Sequence, residues 1–210
     1  MELEGFPMVR DADENLWYGG TQDWYKKKFS RLTGCGATCA ANLAAFYKLG
    51  ITPDLGQCRN CPLYSSEQYL ALMDSTLPYI KPGLRGFPWR NKFQEKFCSF
   101  AKDHGISFTT DYLEGWSEIQ TPLKFIKAEL DAGRPLALLI LHHENEDLLA
   151  DESWHWMTIS GYDADAGKII ISSFGRKKAL DVNLVFKPGK KNDVHLLSFR
   201  KVNSEAAVAV

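Results

Sequence analysis

Gly133-Arg134-Pro135-Leu136-Ala137-Leu138-Leu139-Ile140-Leu141 is where the chain changes character. Six consecutive apolar residues between a proline and His142 read as a buried strand, and six are too few to cross a bilayer. Upstream, the signals are helical. Gly34-Cys35-Gly36 leads into Ala37 to Tyr47, rich in helix formers and closed by Gly50 with Pro53 beyond. Ser65-Ser66-Glu67 opens a second helix. Asn91 to Asp103 reads as a third, with Phe93, Phe97 and Phe100 at helical spacing. Thr121-Pro122 opens a fourth that ends at Gly133. Downstream, His155 to Tyr162 and Lys168 to Ser173 flank a short Asp/Ala/Gly turn and predict a hairpin. Val182 to Phe186 and Val194 to Val202 are read as further strands. Helices first and hairpin-linked strands later predict an α+β fold, with N-terminal helices packed on a C-terminal antiparallel sheet. Nothing divides the chain, so one domain is expected over residues 1–203, with 204–210 as a frayed tail.

The 210 residues are 45% hydrophobic and 24% charged, a globular composition. Twenty-five Lys and Arg against 26 Asp and Glu remove the basic excess that a nucleic-acid binder would show. No stretch reads as a signal peptide or a membrane span, and a cytoplasmic protein without a membrane partner is expected. Five cysteines (35, 39, 58, 61 and 98) fit free thiols better than a disulfide framework. Charge is uneven: Lys168 to Lys201 holds nine Lys and Arg against two Asp, and Glu144 to Glu152 holds five carboxylates and no cation. Such blocks are usually solvated faces. The acidic one runs into His155, however, which predicts an acidic rim favouring basic or amine-bearing substrates.

Chemistry concentrates at three places. A thiol at Cys35, between Gly34 and Gly36 at a helix start, lies where helix N–H groups favour a thiolate and a substrate backbone can approach closely. The alternative is a small buried cysteine, which is the reading for Cys39 one turn later. His155 opens a strand between Trp154 and Trp156, aromatics expected to exclude water and fix the imidazole plane. Ser172 and Ser173 end the return strand of the hairpin, beside the start of the first, where a hydroxyl could orient that imidazole. Cys–His catalysis needs its partners close in space and not in sequence.

The ordered set Gly34-Cys35-Gly36-Ala37-Thr38, His155-Trp156-Met157-Thr158-Ile159-Ser160-Gly161-Tyr162 and Ser172-Ser173-Phe174-Gly175 resembles the papain-like cysteine peptidases. It looks closest to the branch that includes the double-glycine leader-processing peptidases. The resemblance spans Gln22 to about Gly175. It implies a papain-like fold and a peptide or protein substrate, and no motif in the chain calls for a cofactor or a metal. Cys35 would be the nucleophile, His155 the base and then the acid, and the Cys35 N–H an oxyanion donor. Two positions depart from the family pattern. Ser172 stands where the family has an orienting Asn or Asp, and alternation along the strand puts Asp163 on the opposite face. Phe29 stands near the place of the family's oxyanion glutamine. Gln22 is the nearest candidate, and it would serve only if Lys26 to Leu32 loops out. With 34 residues ahead of Cys35, no inhibitory propeptide of the family kind is expected.

Cys58-Arg59-Asn60-Cys61 leaves a structural loop, a disulfide and a partial metal site open. His142-His143 reads as the polar exit of a core strand. No phosphate loop, EF-hand or H-E-x-x-H pattern appears. Against the peptidase stand a catalytically impaired module of the same fold that binds a peptide or protein, and an acyl transferase using the same dyad.

Overall fold

The computed structural model describes residues 1–145 and 147–202. In chain order the elements are β1 (Met8–Arg10), β2 (Leu16–Tyr18), a 3₁₀ turn (Gln22–Trp24), α1 (Lys28–Thr33), α2 (Cys35–Phe46), β3 (Gln57–Cys58), β4 (Cys61–Ser65), α3 (Ser66–Thr76), α4 (Arg90–Asp103), β5 (Phe108–Glu114), α5 (Gln120–Asp131), β6 (Leu136–His142), β7 (His155–Asp163), β8 (Lys168–Ser173), β9 (Arg176–Asp181), α6 (Val182–Val185) and β10 (Asp193–Lys201). The fold is α+β. Its main sheet is antiparallel, with strand order β5-β10-β6-β7-β8-β9. A smaller sheet, β2-β1-β4-β3, is built from the N-terminal third, with β1 parallel to β4.

The apolar run of β6 follows from its central place. Ala137 and Leu139 face α2 and α4, together with Trp156, Leu197 and Phe199. Leu136, Leu138 and Ile140 face α5 and α6, together with Met157, Ile159, Ile169 and Ile171. A strand covered on both faces loses the polar alternation that marks a half-exposed one. Helix α2 is buried all round, from Cys35 to Ala45. Its small alanines let the sheet approach so closely that the Cys39 Sγ donates to the Met157 carbonyl at 3.2 Å.

The four expected helices are present as α2, α3, α4 and α5, each within a few residues of the sequence reading. Ser65 caps α3 by accepting from the Gln68 N–H at 3.2 Å. The expected hairpin is β7–β8, with a bulge between Ile159 and Gly161. Gly161 is needed there, because a Cβ would lie 2.9 Å from the Met1 carbonyl crossing that strand. Val182 to Phe186 is a correction: it forms the helix α6, capped by Asp181, whose carboxylate accepts from the Asn183 N–H at 2.7 Å. The strand lies just before it, as β9. The tail expected at 204–210 lies outside the described residues. Among the described residues no helix is long and apolar enough to cross a membrane.

Candidate active site

Helix α1 ends at Thr33 and α2 begins at Cys35, so Gly34 is the joint between them. A Cβ on Gly34 would lie 2.5 Å from the Ser30 carbonyl and 2.6 Å from the Tyr25 ring. Only glycine lets α1 fold back this tightly. The fold-back answers the question posed by Gln22. Residues Lys26 to Leu32 form a short loop and a helix of their own, pinned by the Arg31 guanidinium donating to the carbonyls of Tyr25 (2.9 Å) and Lys26 (3.1 Å). Gln22 thereby comes to the same recess as Cys35. Its Nε2 donates to the Arg31 carbonyl at 2.6 Å, while its Oε1 is buried without a partner.

The recess is lined by Gly20, Gln22, Cys35, Thr38, Cys39, Asn42, His155, Trp156, Ser172 and Phe174. Its volume is about 10 Å³, room for about one water molecule. Four segments far apart in sequence therefore supply one small pocket with a thiol, an imidazole and a primary amide. Cys35 and His155 are both buried. Burial raises the Cys35 thiol above its ordinary value, against the backbone N–H groups of Trp156, Gly36 and Cys35 itself, which favour the thiolate. Burial also pushes His155 down to about 3, with the Lys178 cation adding to the effect and Asp151 opposing it. The resting pair is an uncharged thiol and an uncharged imidazole.

Phe174 fixes the imidazole plane. Its ring stacks on His155 at 4.3 Å between centroids and 5° between planes. Phe174 and Gly175 form a two-residue turn between β8 and β9, with φ of 50° and 68°. A bulky residue in the left-handed region is strained by about 1–3 kcal/mol. Gly175 is obligatory, because a Cβ there would meet the Trp17 ring at 2.8 Å.

Several expectations are corrected here. Ser172 does not orient His155: its hydroxyl donates to the Tyr18 carbonyl at 2.5 Å and accepts from Asn42 Nδ2 at 3.2 Å. Asp163 caps the far turn, accepting from the Ala166 N–H at 3.0 Å. The flanking tryptophans hold a loop in place of the imidazole. Trp154 Nε1 donates to the Arg85 carbonyl (2.8 Å) and Trp156 Nε1 to the Phe87 carbonyl (2.6 Å). Trp154 lies outside the recess and Trp156 borders it. Gly34 and Gly36 shape the helix start without lining the pocket, Gly36 being packed against Ile80, Trp156 and Phe87. The acidic loop is partly neutralised, with Glu144 on Lys187 (2.8 Å) and Glu152 on Lys178 (2.6 Å), a cation that Asp151 shares at 3.5 Å. Glu146 lies outside the described residues.

Asn42 is the residue that the sequence reading missed. Fully buried on α2, it accepts from the Gly20 N–H (2.9 Å) and the Tyr69 hydroxyl (2.8 Å) and donates to Ser172 and Thr158. An amide seven residues after Cys35 in an otherwise alanine-rich helix was the available signal.

The other motifs stay outside the site. Cys58 and Cys61 are free thiols paired across a two-residue turn whose Arg59 and Asn60 both have positive φ. Among the described residues no group of three or more His, Cys, Asp or Glu could hold a metal ion. His142 ends β6 against Trp154, ring centroids 5.2 Å apart. No protein-family model matches this chain, and no curated protein does.

Proposed function

We propose that the chain is a papain-like cysteine peptidase, hydrolysing a peptide or isopeptide bond with Cys35 and His155. The observation that carries this reading is the convergence of Cys35, His155 and Gln22 on one recess at a helix N-terminus. In the reaction the Cys35 sulfur attacks the carbonyl carbon and its proton passes to His155. The tetrahedral oxygen is met by the Cys35 N–H and by the Gln22 amide N–H left free by Arg31. His155 then protonates the leaving amine, and water hydrolyses the thioester. Because burial favours the uncharged pair, the proton moves from Cys35 to His155 as the sulfur attacks.

A peptidyl chloromethyl ketone tests this. Labelling of Cys35 that disappears in His155→Ala, with turnover lost in Cys35→Ser and retained in Cys39→Ser, is the expected result. Equal labelling of Cys35, Cys58 and Cys98, indifferent to His155, would overturn it. The engagement of Ser172 by Tyr18 and Asn42 favours a second reading, a module of this fold that binds a peptide without cutting it. That module would take up peptide and leave Cys35 unlabelled.

A further inference from the structure

The surface around the Cys35 end of α2 is basic and apolar. Lys27 and Lys28 precede the thiol on the α1 segment. Lys81 and Arg85 stand in the loop that Trp154 and Trp156 hold against it, and Lys92 lies over the Trp89 ring at 4.6 Å. All five cations are exposed, and none has an ion-pair partner among the described residues. Their neighbours are spoken for: Arg90 is paired with Glu114 at 3.0 Å, and Arg31 is held by backbone carbonyls. Carboxylates border the patch on two sides: Asp23, bonded to Thr21, with Glu67 and Asp74 in a groove beside Trp24 and Lys26, and Asp147 and Asp151 in the loop that leads to Trp154. Between these cations, Phe29, Leu32 (70%), Leu84 (92%), Trp89 and Trp154 are exposed. The loop and the α1 segment meet at the thiol, since a Cβ on Gly86 would lie 3.7 Å from the Thr33 carbonyl and one on Gly36 would touch Phe87.

We infer that this rim selects an acidic, apolar polypeptide: Asp or Glu side chains spaced among aliphatic ones, laid across Lys27, Lys28 and Arg85 on the way to Cys35. The inference rests on the peptidase reading for what happens next, but not for binding. Five unpaired cations attract carboxylates, and scattered large apolar side chains supply the area that carries affinity. A peptide fits better than a membrane surface, because the apolar residues come from three separate segments. An interfacial element presents one continuous amphipathic face, and α1 has only six residues.

The test uses the Cys35→Ala chain and three probes: a labelled peptide alternating Glu and Leu, the same peptide with Lys for Glu, and phosphatidylserine vesicles. Anisotropy should show the Glu peptide binding with an affinity that falls as salt rises, and the Lys peptide not binding. Lys27→Glu/Lys28→Glu/Arg85→Glu should weaken it at least about eightfold, three exposed contacts each contributing a factor of about two or more. An unchanged melting temperature keeps that variant informative. Equal binding of both peptides, full binding by the triple variant, or binding to vesicles alone would overturn the inference. Glu-peptide binding in a wild-type chain that never cuts would remove the peptidase reading and leave this one. Cutting of neutral peptides without charge preference would do the reverse.

Discussion

A histidine held by a stacked ring and by burial stays neutral over most of the pH scale. In the unfolded chain His155 titrates near 6.5, and in the folded protein near 3. The unfolded state therefore takes up a proton first as pH falls. The contribution is fully present above about pH 6.5 and is lost on the way down to about pH 3, at about 1.4 kcal/mol per unit. Urea unfolding of the wild type and of His155→Gln at pH 7 and pH 5 should show the wild type losing about 2 kcal/mol more. Parallel losses would mean that the ring is solvated. That Cys35 and His155 would share a site was legible at this scale because they sit at the starts of a helix and a strand, with glycines and aromatics beside them. The orienting group was not legible. Hairpin register does bring Ser172 near, but a hydroxyl turns to its strongest acceptor, and that is the Tyr18 carbonyl.

Among elements, those with a buried face were readable. Helix α4 shows Phe93, Phe97 and Phe100 at helical spacing because one face alone packs inward. Strand β9 shows nothing of the kind: Arg-Lys-Lys-Ala-Leu-Asp is an edge strand, and charged edges are how sheets avoid pairing with one another. The three-residue strands β1 and β2 are too short for any period to register. Helix α5 is fastened to the sheet by Glu129, which accepts from Arg134 and Arg200, each at 2.6 Å. Burial alone would raise its carboxyl, but the two guanidinium groups outweigh that and hold it below the ordinary value. Glu129→Ala should cost about 2 kcal/mol in chemical unfolding, less than a fully buried pair because Arg200 is half exposed. No change would mean that the bridge is screened. At the other end, Gly34→Ala should cost about 1–3 kcal/mol through overpacking against Tyr25 and Ser30, and should slow Cys35 labelling as the α1–α2 joint opens. Faster labelling would show that the joint only blocks access.

Over the whole molecule, an almost balanced charge count conceals a sorted distribution. The acidic loop that sequence order places next to His155 commits Glu152 to Lys178 and Glu144 to Lys187, while five lysines and arginines stand unpaired on the segments around the thiol. Order in sequence did not show which of these charges pair, because long side chains pair through space. The run of helices α2 to α5 and the hairpin β7–β8 after them were readable from periodicity and capping residues, whereas β1 to β5 were not. The meeting of the two N-terminal segments with the last hairpin was not, since no local pattern encodes it. That meeting has a temporal consequence. One amide, Asn42, joins backbone or side chains at residues 20, 69, 158 and 172. Contacts this distant along the chain form slowly, and during synthesis they must wait for the last of them. Until β8 has left the ribosome, the recess around Cys35 lacks the wall that Ser172 and Phe174 supply. The finished recess is thus withheld from the nascent chain until the residues up to Phe174 have been made.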